Sequence, residues 1–93
     1  MIVATVVLDI GLPGVNSLKE KRRKIKPLLS RMQNRYNISI AEVKYNDHYR
    51  VAQIGAAVVS NDKAFAEQVI SKIVRIIESE AEINLNDYRV EIL

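Results

Sequence analysis

The residue types that this chain lacks exclude several kinds of functional site. Its 93 residues contain no cysteine, no tryptophan and one histidine, His48. Without cysteine the chain forms no disulfide, binds no metal through thiolates and offers no cysteine nucleophile. A structural zinc site needs several His or Cys ligands, so a lone histidine does not make one. We therefore expect no metal and no cofactor, and we expect His48 to be a solvated turn residue.

Long hydrophobic runs are also missing. No segment approaches the roughly 18 apolar residues that cross a bilayer. Residues 1–10 are apolar but lack the basic leader and small-residue cleavage site of a signal peptide. Hydrophobic residues make up 48% and charged residues 27% of the chain, which is ordinary globular composition. The sequence therefore predicts a single domain over residues 1–93, located in the cytoplasm.

Charge is plentiful but unevenly placed. The formal net charge is +3, yet residues 16–36 carry +7 and the rest of the chain carries −4. The cations of this segment are Lys19, Lys21, Arg22, Arg23, Lys24, Lys26, Arg31 and Arg35. Close cations repel one another and weaken an isolated helix, and a phosphate-rich partner relieves that repulsion. The segment therefore favours an anionic partner, although a solvated helix face balanced by acidic neighbours is the alternative.

Hydrophobic periodicity predicts the order β-α-β-β-α-β. Strands are expected at residues 2–10, 38–45, 51–59 and 88–92, the last of them half-exposed, with helices at about 18–36 and after the capping residues 60–62. Ser17 and Glu20 have the spacing of a capping box at the start of the first helix. Pro27 predicts a kink in that helix, or a break at Lys26 with a second helix starting at Pro27.

This order is that of the ferredoxin-like α+β fold. It predicts a four-stranded antiparallel sheet with two helices on one face and the first and third strands in the centre. Both alternating sets of residues in these two strands are largely apolar. The face without helices is therefore expected to be apolar as well, which favours a homo-oligomer, most simply a dimer packed through that face.

The open sheet face is a poor platform for nucleic-acid bases. RNA recognition motifs share this topology but stack bases on aromatic side chains of their central strands. Residues 2–10 and 51–59 contain no aromatic residue. We therefore expect any contact with RNA to be made to phosphates, with weak sequence preference.

A second candidate site lies in the loop after the first strand. It contains Gly11, Pro13, Gly14 and Ser17 and leads into a helix N-terminus, where free N–H groups can hold an anion. The loop resembles the Asp-Pro-Gly corner of ACT regulatory domains, from which it departs by the two residues Gly11 and Leu12. That resemblance implies a small-molecule-binding module as an alternative function. An ordinary turn is the other interpretation, because Gly and Pro are common turn formers.

Enzymes of this topology are matched less well. Acylphosphatases carry an arginine in the loop after the first strand, and no arginine lies between Met1 and Lys21. The carboxylates Asp9 and Glu42 lie near strand ends but form no evident catalytic pair. We expect no catalytic residues, and a binding module rather than an enzyme.

Several motifs together resemble the YlxP-like family, a bacterial family of unknown function. They are Leu-Pro-Gly at 12–14, Ser-Leu-Lys-Glu-Lys-Arg-Arg at 17–23, and the segments 35–43 and 58–62. The resemblance covers essentially the whole chain and implies a small cytoplasmic protein with a ferredoxin-like fold. Genes of the family often lie near genes for translation initiation and ribosome maturation, which implies an RNA or ribosome-associated partner. The family brings no catalytic residues.

The leading hypothesis is therefore a non-enzymatic module that contacts RNA or a ribonucleoprotein through the cations of its first helix. An ACT-like regulatory module and a protein-interaction adaptor are the alternatives.

Overall fold

In a computed structural model that describes residues 1–93, the chain forms six elements in the predicted order. They are β1 (Ile2–Gly11), α1 (Leu18–Arg35), β2 (Ser39–Lys44), β3 (Val51–Ser60), α2 (Lys63–Ser79) and β4 (Asn84–Ile92). The predicted ferredoxin-like α+β fold is confirmed. The bounds of β1, α1 and β3 differ from expectation by one residue, β2 is one residue shorter at each end, and β4 begins four residues earlier than expected.

The four strands form one antiparallel sheet in the order β2-β3-β1-β4. Strands β1 and β3 are central, as expected, because each pairs on both sides. Side chains alternate along a strand, so even-numbered residues of both strands face one layer and odd-numbered residues face the other. The even-numbered ones, such as Val6 and Ile54, are buried beneath the helices.

The core lies between this sheet face and the two helices. Helix α1 contributes Ile25, Leu28 and Met32, and α2 contributes a longer row of buried aliphatic residues. Leu28 packs in the core, whereas its neighbour Leu29 is only half-buried. Neither helix is long and apolar enough to cross a membrane.

Local signals set the ends of the helices. Ser17 Oγ accepts a hydrogen bond from the Glu20 N–H at 3.1 Å, which confirms half of the capping box. Glu20 Oε2 reaches back to the N–H of Asn16, at 2.9 Å, so a second free donor is satisfied. Helix α2 begins after Asp62 and ends at Ser79, before Glu80 and Glu82, as expected for acids that oppose the helix dipole.

Helix α1 continues through Pro27, so the alternative with a break at Lys26 is wrong. Buried side chains on both sides of Pro27, among them Ile25 and Leu28, anchor both halves of the helix to the core. This packing outweighs the one helical hydrogen bond that proline cannot donate.

The position of Pro27 predicts a stabilising substitution. Its side chain is exposed, so Pro27→Ala restores a helical hydrogen bond and removes no packing. Because proline disfavours a helix interior by up to about 3 kcal/mol and also restricts the unfolded chain, we expect the free energy of unfolding to rise by about 1 to 3 kcal/mol. Urea unfolding followed by circular dichroism measures this. A lower midpoint for the variant would contradict it.

Candidate functional site

Four cations of α1 form a patch on its solvent side. Lys19, Arg22, Arg23 and Lys26 are all exposed, and none makes an ion pair within the chain. At 100° per residue their side chains lie within about one third of the helix circumference, and they span about 10 Å along its axis. We call these four residues the outer basic patch. It is a concentrated positive surface with no acid to balance it.

The cations on the α2 side of the helix are differently placed. Lys24 pairs with Glu82, and Arg31 Nη2 lies 3.1 Å from Glu80 Oε1. Arg35 makes no ion pair, and its guanidinium lies 5.4 Å from the centre of the Tyr36 ring. Acids from the turn after α2 therefore neutralise two of the three cations on this side.

Lys21 does not belong to the surface set in which the sequence analysis placed it. Only 2% of it is exposed. Its ammonium donates to the carbonyl oxygen of Tyr45 at 2.8 Å and to that of His48, and it lies 2.6 Å from Glu42 Oε2. These groups occupy the ammonium completely, so Lys21 is not available to a phosphate.

The sequence held a signal for this position. Lys21 precedes the buried residues Ile25, Leu28 and Met32 by four, seven and eleven residues, which is the spacing of the apolar stripe. A lysine on that stripe reaches the core only where a carboxylate and carbonyl oxygens receive it. Those oxygens come from β2 and the β2–β3 turn, so their arrangement follows from the tertiary structure.

The loop after β1 is held by a residue that the sequence analysis did not single out. Arg50 donates to the Val15 carbonyl oxygen through Nε and to Asn16 Oδ1 through Nη2, both at 3.0 Å. Its own carbonyl oxygen accepts the Leu12 N–H at 2.8 Å. The loop is thus clamped to the start of β3.

The candidate ligand residues of this loop have ordinary surroundings. Ser17 caps α1, Gly11 ends β1, and Pro13 and Gly14 are exposed at the tip of the loop. None of the three glycines of the chain has a positive φ. The N–H of Glu20 in the first turn of α1 is satisfied by Ser17 Oγ, and that of Asn16, just before the helix, by Glu20 Oε2.

A shallow groove of about 300 Å³ adjoins the outer basic patch between α1 and β2. Arg22 and Lys26 lie on its α1 side, and Glu42 and Asn46 on the other side. Oε2 of Glu42 is buried and receives no hydrogen bond beyond its ion pair with Lys21. The groove is therefore positive at its lip, and its acid is already engaged.

One carboxylate at the edge of the site has a shifted titration. The hydrogen bond and the charge of Lys24 hold the pKa of Glu82 below its ordinary value of 4.5. Glu82 has a left-handed backbone, with φ of 66°, a conformation that non-glycine residues adopt only when other contacts hold it. The ion pair is one such contact.

The chain is similar to known proteins along almost its whole length. Residues 3–90 match the model of a family described as "Protein of unknown function (DUF503)". A relative from Bacillus subtilis (strain 168), named "Uncharacterized protein YlxP", is 37% identical over 86 residues. The match covers 92% of this chain and 88% of that protein.

The burial of Lys21 predicts a large loss of stability on its removal. Lys21→Met leaves Glu42 Oε2 and two carbonyl oxygens without their donor. Removing one partner of a buried pair costs about 3 to 5 kcal/mol, and we expect the lower end because the Glu42 side chain is 19% exposed. Lys26→Met, an exposed change in the same helix, should stay within about 0.5 kcal/mol of the wild type. Equal unfolding midpoints for the two variants would contradict the structural role of Lys21.

The Lys24–Glu82 pair predicts a pH-dependent contribution to stability. The folded-state pKa of Glu82 lies below its unfolded value of 4.5, so the pair stabilises the fold above that value and ceases to do so as the pH falls through the folded pKa. We expect Glu82→Gln to be slightly less stable than the wild type at pH 7. This difference should disappear at acidic pH. A difference that is independent of pH would show that the charge of Glu82 is not its source.

Proposed function

This chain is a member of the DUF503 family, as its resemblance to YlxP-like proteins predicted, and we propose that it is a non-enzymatic module that binds RNA through α1. The outer basic patch, formed by Lys19, Arg22, Arg23 and Lys26, contacts the phosphates. Such a role places the protein in the cytoplasm among ribonucleoprotein partners.

The observation that carries the proposal is the unequal pairing of the cations of α1. Lys21, Lys24 and Arg31 have acidic partners inside the chain, whereas the four residues of the outer basic patch have none. Four unpaired cations within eight residues repel one another, and the chain supplies no group that offsets this. Phosphates bound there offset the repulsion and release their own counterions.

The composition of the sheet supports contact with the backbone rather than with bases. Tyr88 is the only aromatic residue in the four strands, and it lines a groove beside α2 on the helix side. The face without helices therefore has no ring on which a base can stack. Contacts to the phosphates alone position the RNA and contribute affinity, but they confer no sequence preference.

A small-molecule function remains a prediction. The loop with Gly11, Pro13, Gly14 and Ser17 shows no unsatisfied polar group aimed at a common point, so no structural observation favours it over RNA.

Arg35 and Arg31 lie away from the patch, on the α2 side, and extend the positive surface only weakly because Arg31 is paired.

Salt dependence tests the proposal. Four phosphate contacts to a single strand predict that the logarithm of the binding constant falls with the logarithm of salt concentration with a slope of about −2.8. Arg22→Gln with Arg23→Gln removes two contacts and should reduce the slope to about −1.4. Fluorescence anisotropy with a short labelled single-stranded RNA measures both slopes, and the wild-type dissociation constant at physiological salt should lie between about 1 and 100 μM.

A matched control lies on the other helix. Lys72→Gln with Arg75→Gln removes the same charge from exposed positions of α2, and we expect it to leave the slope unchanged. If both double variants reduced the salt slope equally, net charge alone would attract the RNA. If the wild type does not bind RNA even at low salt, the proposal is overturned. A cellular partner that stays bound after ribonuclease treatment would also overturn it, in favour of an acidic protein as the partner.

A further inference from the structure

The sheet face opposite the helices is uncovered and largely apolar along β1 and β3, whereas β4 places Arg89 and Glu91 on it. Its exposed side chains come from odd-numbered residues of the strands and from Leu93, whose backbone pairs with that of Val3. We call it the open face. Its apolar members are Val3, Val7, Ala41, Val43, Gly55, Ala57, Val59 and Leu93. Val43, Val59 and Leu93 are 54%, 63% and 69% exposed, and a contiguous apolar surface of this kind marks an interface.

Opposite charges lie at the two ends of one row of the open face. The strand register aligns Lys44, Gln53, Asp9 and Asp87 across the sheet, where a register shift between Glu42 and Lys44 brings the even-numbered Lys44 to this face. In the middle of the row Gln53 Nε2 donates to Asp9 Oδ1 at 2.9 Å. At the ends, Lys44 and Asp87 make no ion pair within the chain. The row is therefore basic at one edge of the sheet and acidic at the other.

We propose that two copies of this chain pack open face to open face, about a two-fold axis that runs parallel to the strands between β1 and β3. Such an axis reverses the order of the strands in the second copy relative to the first. Each row of side chains keeps the same position along the strand direction in both copies. It therefore places Lys44 of one copy against Asp87 of the second, and the reverse, as a self-complementary interface requires.

Apolar residues of β1 and β3 also match under the same axis. Val3 and Val59 are register partners, and so are Val7 and Gly55. The axis thus sets Val3 of one copy against Val59 of the second, and Val7 against Gly55. Gly55 has no side chain, and Val43 fills the space above it, with its Cγ1 3.0 Å from where a Cβ of residue 55 would stand. Val7 of the second copy therefore packs against Val43, in the way that side chains of stacked sheets interdigitate.

The size of the face suits a dimer. Four strands at about 4.8 Å spacing and eight residues at about 3.4 Å give a flat footprint of about 500 Å² per copy. Two copies therefore bury about 1,000 Å² or more, which reaches the lower bound for a specific interface. The helices lie in the opposite layer, so this packing leaves the outer basic patch free.

Sedimentation equilibrium of the full chain over a range of concentrations tests the proposal. We expect the wild type to approach a mass twice the 10.6 kDa of one chain. Val59→Lys places a charge opposite Val3 of the second copy and should give the monomer mass with an unchanged circular dichroism spectrum, because residue 59 is exposed in one chain. A wild type of 10.6 kDa at every concentration, or a folded Val59→Lys variant that still dimerises, would overturn the proposal.

A charge exchange tests the stated axis. Lys44→Glu sets two pairs of like charges against each other and should weaken dimerisation roughly tenfold, since the contact occurs twice. Lys44→Glu with Asp87→Lys restores both pairs and should recover wild-type affinity. Lys72→Glu on α2, a charge reversal outside the interface, should leave the dimer intact. A double variant that dimerises no better than Lys44→Glu would show that these residues do not face each other.

Discussion

The ammonium of Lys21 joins the parts of this fold that hydrophobic packing alone leaves loosely connected. Strand β2 is short, lies at the edge of the sheet and is largely exposed, so few apolar contacts hold it to α1. Lys21 reaches from the buried stripe of α1 to Glu42 on β2 and to the carbonyl oxygens of Tyr45 and His48 in the following turn. A buried charge is costly without partners, and here three oxygens receive it. The same contacts hold Tyr45 in its left-handed backbone conformation, with φ of 66°.

This constraint changes the meaning of the basic segment. Eight cations in sequence suggest one uniform positive helix, yet the fold sorts them by direction. One is buried, two are paired with acids beyond α2, four form the outer basic patch, and the eighth, Arg35, lies over the Tyr36 ring. The helix thus uses lysine for two different purposes, which are internal attachment and external charge. A second lysine, Lys24, makes a more exposed attachment toward the opposite edge of the sheet, where it pairs with Glu82 in the turn before β4.

The fold followed from the sequence because its signals are local and agree with one another. Alternation gave β1 and β3, the capping box gave the start of α1, and the element order left one plausible topology. The misplaced residues are those whose surroundings come from distant segments. Lys21 depends on oxygens more than 20 positions away, and Arg50 clamps a loop 35 positions before it. Pro27 left a break at Lys26 open as an alternative for a related reason, since packing against the sheet, which no local pattern records, keeps α1 continuous. The open face was predicted as apolar, but the row from Lys44 to Asp87 required the register of three strand pairs.

The two proposed surfaces are compatible because they belong to opposite layers of the domain. Helix α1 packs on one face of the sheet, and the open face is the other, so a dimer formed through the open face carries its two outer basic patches on opposite outer surfaces. The patches then cannot merge into one continuous groove, and each contacts its own phosphates. A short RNA strand therefore gains no avidity from dimerisation, whereas an RNA long enough to pass around the dimer reaches both patches and gains from the second contact. For a short RNA strand, the salt slope reflects contact with one patch, whether the protein is a monomer or a dimer. An affinity that increases with RNA length indicates that the RNA contacts both patches of a dimer.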